Sequence, residues 1–286
     1  MSDWYQIENG VLTVQITSKG AELKRLFQRA WNLELLWAGE EKTWERSSPI
    51  LFPIVGKLKN DEYTIGDKKY SLPRHGFARD MEFTCTLADV HECEFVLKAN
   101  QNTFSQYPFL FELKTHYSLD GAKLNIKHTV KNCDRQDILF SLGAHPGFAT
   151  PHIDDFEIQF EKEEDVYYLT KDGLLDNSQK IMFREKRLSL TPDLFSNDAL
   201  IFKKVKSNHI DLINKAHNQV IRVGAKHMPY WGIWGKENIS FVCIEPWYGV
   251  ADPMDHDQNI EKKEGIIRLA ENQEFVFSYS IETFHA

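Results

Sequence analysis

Apolar and polar residues alternate with a period of two along most of the chain. Residues 11–16, 124–130, 156–160 and 275–281 each put every second side chain on one apolar face, as half-buried strands do. Turn signals separate these runs: Asn9-Gly10, Gly66-Asp67, Asp120-Gly121 and Asp172-Gly173. Asp-Gly is a strong hairpin cue, because both residues tolerate the left-handed backbone that a two-residue turn requires. Helical periodicity is thin. Thr191-Pro192-Asp193-Leu194-Phe195 reads as the start of one short turn, with Pro192 at the first helical position, and residues 33–44 read as holding another. Strands and turns at this density predict an all-β sandwich or barrel. The pattern runs from end to end without a Gly/Ser-rich linker, a low-complexity tract or an internal repeat. Residues 1–286 are therefore expected to form a single domain, a sandwich of many strands.

Composition narrows what such a sandwich does. The 286 residues include 34 Lys+Arg against 42 Asp+Glu, a formal net charge of −8. That balance argues against a nucleic-acid binder, which needs a basic face to neutralise phosphates, and against a polybasic membrane binder. The N-terminal stretch from Met1 has no basic segment followed by an apolar one, and no apolar run approaches the roughly 20 residues that span a bilayer. Cytoplasm is the expected location. Cys85, Cys93, Cys133 and Cys243 form no C-x-x-C pair, so reduced, buried thiols are expected even though Cys85 and Cys93 are spaced to face each other across a hairpin. Aromatics reach 13%, an excess that suits either a sandwich core or the walls of a sugar cleft.

Three segments break the alternation and combine polar residues with Gly and Pro. They are residues 46–56 together with 73–80, residues 141–148, and residues 243–252. His75 and His145 each sit beside Gly or Pro after an extended apolar run, a context that bends the chain and lets backbone approach a ligand. Glu245 ends a strand read over residues 239–244, and by alternation it points away from the face that Ile244 occupies. Taken one at a time, these residues also fit plain structural roles: a hydrogen-bonding core histidine, a strand-end carboxylate, a salt-bridged arginine. No H-E-x-x-H pair, calcium loop, P-loop, dinucleotide fingerprint or nucleophile elbow is present. The acidic run from Asp252 to Asp257 lacks calcium-loop spacing. Neither a metal nor another cofactor is expected.

In these residues the chain resembles the aldose 1-epimerase, or galactose mutarotase-like, superfamily. The resemblance is carried by Arg46 with Leu51-Phe52-Pro53, His75-Gly76-Phe77-Ala78-Arg79, Gly143-Ala144-His145-Pro146-Gly147-Phe148 and Glu245-Pro246-Trp247. It covers nearly the whole chain, and within the superfamily it is strongest to the LacX-like, galactose mutarotase-related proteins. It implies a β-supersandwich with an open cleft, His145 as general acid and Glu245 as general base. It also implies Arg46, His75 and Asp198 as binders of sugar hydroxyls. Arg79 would hold a phosphate if the sugar carries one, so the implied partner is a free or phosphorylated monosaccharide. Mutarotation needs one proton delivered to the ring oxygen and one removed from the anomeric hydroxyl. An imidazolium and a carboxylate supply these without metal or nucleotide, and a nearby carboxylate is expected to keep His145 charged. Two other readings stay open: a non-catalytic sugar-binding protein, and a glycosidase or lyase using Asp198 and Glu245 as its carboxylate pair. Phe52, Phe77, Phe148, Trp247, Tyr230, Trp231 and Trp234 are the aromatics expected to wall the cleft, with Trp247 foremost.

Overall fold

The computed structural model describes residues 2–191, 193–236 and 240–286. Pro192, expected to open a helical turn, and Ile239, expected to begin a strand, lie outside the described residues. The fold is all-β, a β-supersandwich. Among the described residues one antiparallel sheet of fifteen strands runs from Ile50–Leu51 through Leu142–Ala144, Phe241–Tyr248, Tyr230–Trp234, Leu200–Lys203 and Phe156–Lys171, then out to Thr84–Ala88. A second sheet joins Trp4–Glu8, Leu12–Thr17, Leu23–Gln28 and Leu33–Glu34. Leu12, Val14 and Leu26 of the small sheet share one continuous core with Phe95, Leu113, Ile126 and Phe277 of the large one. Each fully buried side chain of this size contributes roughly 1.5–3 kcal/mol.

The alternation holds closely where it was read. In Lys123–Asn132 the buried positions are Leu124, Ile126, His128, Val130 and Asn132. In Glu274–His285 they are Phe277, Tyr279, Ile281 and Thr283, while Phe275 is only half-buried. Asp172 and Gly173 both take positive φ between Phe156–Lys171 and Leu174–Ser189, as their tight turn demands. Residues 33–44 hold only a short strand and a single turn closed by the Thr43 N–H on the Glu40 carbonyl. After residue 190 the described residues form successive turns, closed on the Thr191, Asp193 and Phe195 carbonyls. Among the described residues the one α-helix is Gln101–Gln106, which hydrophobic periodicity does not predict. Its start is legible in hindsight: the Asn100 side chain accepts from the Asn102 and Thr103 N–H groups, and Thr103 returns a bond to the Asn100 backbone, a capping box. No described helix is long and apolar enough to cross a membrane. All four cysteines are free, but only Cys93 and Cys243 are buried; Cys133 is exposed.

His128 shows how the core treats a titratable group. Burial pushes its pKa down to about 3, and its Nδ1 lies 3.0 Å from the Thr115 hydroxyl. The unfolded chain binds that proton near pH 6.5, the folded chain only near pH 3. Across that window the unfolded state holds more protons, so stability falls as the pH drops from about 6.5 towards about 3. The thermal midpoint is expected to fall over this range, and to fall less steeply in His128→Gln. An equally steep fall in the variant would assign the acid limb to other groups.

Candidate active site

Strand Phe241–Tyr248 organises the site. Val242 and Ile244 face the main core, while Cys243, Glu245 and Trp247 occupy the opposite face. Opposite Glu245 the neighbouring strand carries Gly232, and opposite Trp247 the other neighbour carries Gly143. Both glycines are required by the indole. A Cβ at Gly232 would lie 2.5 Å from the Trp247 ring, and one at Gly143 2.7 Å from it. Gly147, paired with Cys243, makes the same room for Trp44, whose ring would meet a Cβ there at 2.6 Å. His145 sits between the short strands that these glycines belong to, held where the Pro146 carbonyl accepts from the Ile244 N–H.

His75 arrives from a tight turn. It takes φ of 68° and Gly76 φ of 70°, and the Gly76 N–H closes the turn on the Pro73 carbonyl. A Cβ on Gly76 would lie 2.3 Å from the Phe52 carbonyl oxygen, so only glycine fits. The Gly56 N–H donates to His75 Nδ1 at 3.1 Å while the His75 N–H donates to the Gly56 carbonyl. With Nδ1 accepting, the proton of neutral His75 belongs on Nε2, leaving it a fixed donor.

These segments enclose a cavity of about 260 Å³ lined by six of the seven residues singled out from the sequence: His75, Arg79, His145, Asp198, Glu245 and Trp247. A larger cavity of about 520 Å³ beside Trp31 and Trp37 takes none of them. Arg46 is the exception. Its guanidinium donates to the Asp80 carboxylate at 2.6 Å and the Arg79 carbonyl at 3.4 Å, and it lines a shallow neighbouring pocket. Paired with Asp80, it stands beside the cavity and not in its lining, where it braces the Arg79 carbonyl. Asp198 is engaged as well: Arg74 donates to it at 2.6 Å and Thr170 at 3.2 Å. Arg79 donates to the Arg74 carbonyl at 2.7 Å, and its buried Nε lies 3.8 Å from the Asp80 carboxylate with no hydrogen-bond partner among the described residues.

The expected aromatic wall is corrected in part. Phe52, Phe77, Phe148 and Trp231 pack inside the main core: strand alternation turns Phe148 and Trp231 away from the cavity, while Phe52 and Phe77 pack on each other beside the His75 turn, and Tyr230 does not line the cavity. Trp247 and Trp234 do line it. Trp44, which the sequence reading passed over although it stands two residues before Arg46, lines it too. Its ring lies 5.0 Å from that of His145, with Trp234 and His75 edge-on to the imidazole at 5.5 and 5.6 Å. Arg74, Thr170 and Lys236 also reach the cavity. The acidic run after residue 251 is not a calcium loop. Asp252 is buried and bonded to the Lys263 ammonium at 2.8 Å.

His145 Nε2 and Glu245 Oε2 lie 3.3 Å apart, both side chains almost wholly buried. The contact lacks hydrogen-bond alignment, leaving Oε2 unpartnered among the described residues. Burial dominates the ionisation of both. It pushes His145 down to about 3, with Arg79 acting in the same direction. It holds Glu245 well above the usual carboxylate range, reinforced by Asp198. The expectation that the carboxylate keeps His145 charged is therefore reversed, because desolvating two charges costs more than their attraction returns. Burial thus disfavours the charged form of each partner, and a neutral imidazole beside a carboxylic acid carries the same single acidic proton as an imidazolium–carboxylate pair.

A β-supersandwich whose central strand presents a buried carboxyl to a histidine in a sugar-sized cavity defines a galactose mutarotase-like protein. Residues 3–263 match the aldose 1-epimerase family, and the chain belongs to it. It is 30% identical over 281 residues to the chromosomal protein LacX of Lactococcus lactis subsp. lactis, covering 92% of this chain and 94% of that one. The crystal structure of a galactose mutarotase related enzyme from Lactobacillus acidophilus superposes with a TM-score of 0.95 at 34% identity, over 99% of this chain and 97% of the other. A galactose mutarotase-like protein from Lactobacillus casei gives 0.92 at 28% identity, over 99% and 100%.

Proposed function

We propose that the protein is an aldose 1-epimerase that interconverts the α and β anomers of a free hexose such as galactose or glucose. The observation that carries this reading is the buried contact of His145 Nε2 with Glu245 Oε2, 3.3 Å apart and lining the 260 Å³ cavity. Ring opening needs one group to protonate the ring oxygen while another takes the anomeric proton. A pair with one transferable proton does both, whichever member holds it. Ring closure returns the proton, so the enzyme ends each cycle as it began. In the imidazolium–carboxylate form His145 is the acid and Glu245 the base. His75, with Nε2 as donor, Asp198 and Arg79 supply the hydroxyl contacts that orient the ring, and Trp247, Trp44 and Trp234 supply its walls. The cavity lies just below the roughly 300–1,000 Å³ of pockets for drug-sized ligands, a size suited to a single sugar ring. Asp198 already accepts from Arg74 and Thr170, which disfavours it as the second free carboxylate of a glycosidase.

Polarimetry tests the reading. Freshly dissolved α-anomer should lose its excess rotation faster with the protein than without. No acceleration for galactose, glucose or their 6-phosphates would overturn it, and sugar binding in a titration without acceleration would favour a non-catalytic binder. The arginines support a second reading, a hexose-6-phosphate mutarotase. Arg74 and Arg79 line the cavity, and Arg79 Nε is an unused buried donor. A higher kcat/KM for a 6-phosphate than for the free sugar would select it.

A further inference from the structure

Cys243 plays no part in the chemistry above, yet it stands against it. It shares the inner face of strand Phe241–Tyr248 with Glu245, two residues away. Its sulfur fills the gap left by the missing Cβ of Gly147. One ligand atom each from His145, Cys243 and Glu245 lie within 4.8 Å of one another, and all three residues are buried. Glu245 Oε2, the atom 3.3 Å from His145 Nε2, makes no aligned hydrogen bond among the described residues. Unsatisfied buried acceptors are costly and uncommon.

We propose that His145, Cys243 and Glu245 form an inhibitory site for a thiophilic divalent cation, zinc above all, with the fourth coordination position open to the sugar cavity. A nitrogen, a thiolate and a carboxylate oxygen are a zinc donor set, and three protein ligands with one open position are ordinary zinc geometry. Magnesium and calcium prefer oxygen ligands alone. Zinc bond lengths put tetrahedral ligands about 3.5 Å apart, so closing on the ion asks for movements of about an ångström. Charge favours the complex. Zinc with one thiolate, one carboxylate and a neutral imidazole sums to zero, which suits ligands that are all buried. The arginines facing it are partly neutralised, Arg74 by Asp198, Arg46 by Asp80 and Arg79 more distantly by Asp80, while Lys236 also lines the cavity, so Arg79 and Lys236 are the opposing charges. Binding releases the Cys243 thiol proton, because the thiolate is the ligand. The inhibitory consequence rests on the proposed roles of His145 and Glu245; the metal site itself does not.

Cobalt(II) is the probe, titrated into the purified full-length chain, because cobalt bound by a thiolate gains a near-ultraviolet sulfur-to-metal absorption. The expected result is a saturable band, displaced by zinc, absent in Cys243→Ser and weakened at least about tenfold in affinity in His145→Asn. If Cys243→Ser fails to fold by circular dichroism, Cys243→Ala replaces it. In parallel, zinc should stop mutarotation and a chelator restore it. Metal-free Cys243→Ser should turn over normally while needing at least about tenfold more zinc for inhibition. No band in the wild type, or an undiminished band in the Cys243 variant, would overturn the proposal. A band in a protein that accelerates no sugar would uphold the metal site and remove the epimerase reading instead.

Discussion

Replacing Glu245 with glutamine is expected to slow mutarotation by roughly 10²–10⁴-fold, the worth of one well-placed acid or base. The substitution keeps the shape of a side chain that is 1% exposed, and its amide neither gives nor takes a proton in the required range. It also removes a buried ionisable group whose charged form burial already disfavours, so folding should be unimpaired. The loss should fall on kcat, because the group acts in the transition state and not in holding the sugar. Polarimetric initial rates over a range of sugar concentrations give the measurement, with circular dichroism to confirm the fold. A wild-type kcat in Glu245→Gln would refute the role of the pair. His145→Asn should behave in parallel, since a proton shared by two groups is lost to catalysis when either is removed.

The second large effect is on stability. Asp252→Ala is expected to cost about 3–5 kcal/mol, because it strands the Lys263 ammonium in the interior without its counter-charge. Both side chains are about 1% exposed. Lys263 also donates to the Val250 carbonyl at 2.6 Å, and Asp252 accepts from the Lys59 N–H at 3.0 Å. The pair therefore ties the segment after Glu245-Pro246-Trp247 to residues 57–59. The backbone continues the link: the Asp252 N–H donates to the Lys57 carbonyl, and Gly56 next to it holds His75. Urea denaturation should show a lower midpoint at an unchanged slope. Adding Lys263→Met should recover part of the loss, because a missing pair costs less than a broken one. A loss below about 1 kcal/mol in Asp252→Ala would show that water reaches the stranded lysine.

The sequence by itself determined the sheet-rich fold, because a period of two in hydrophobicity and Asp-Gly turns are local properties of the chain. It also determined the family, because the ordered segments around His75, His145 and Glu245 are short enough to be read without knowing where they meet. Strand alternation correctly sent Glu245 away from the core face of Ile244. It did not say which aromatics wall the cavity, since Phe52, Phe77 and Phe148 lie near the site in sequence but face the core, while Trp44 faces His145 from a segment of irregular backbone. Nor did it reveal that Arg46 pairs with Asp80 beside the cavity, that Asp252 belongs to Lys263, or that Cys243 joins the two residues it borders. The charge state of the His145–Glu245 pair lay furthest out of reach. A carboxylate beside a histidine suggests an ion pair, and only the tertiary structure, by removing water from both groups at once, works against their charged forms. Contacts set by the pleat of one strand can be counted along the chain; desolvation is a property of everything packed around a group and exists only once the chain has folded.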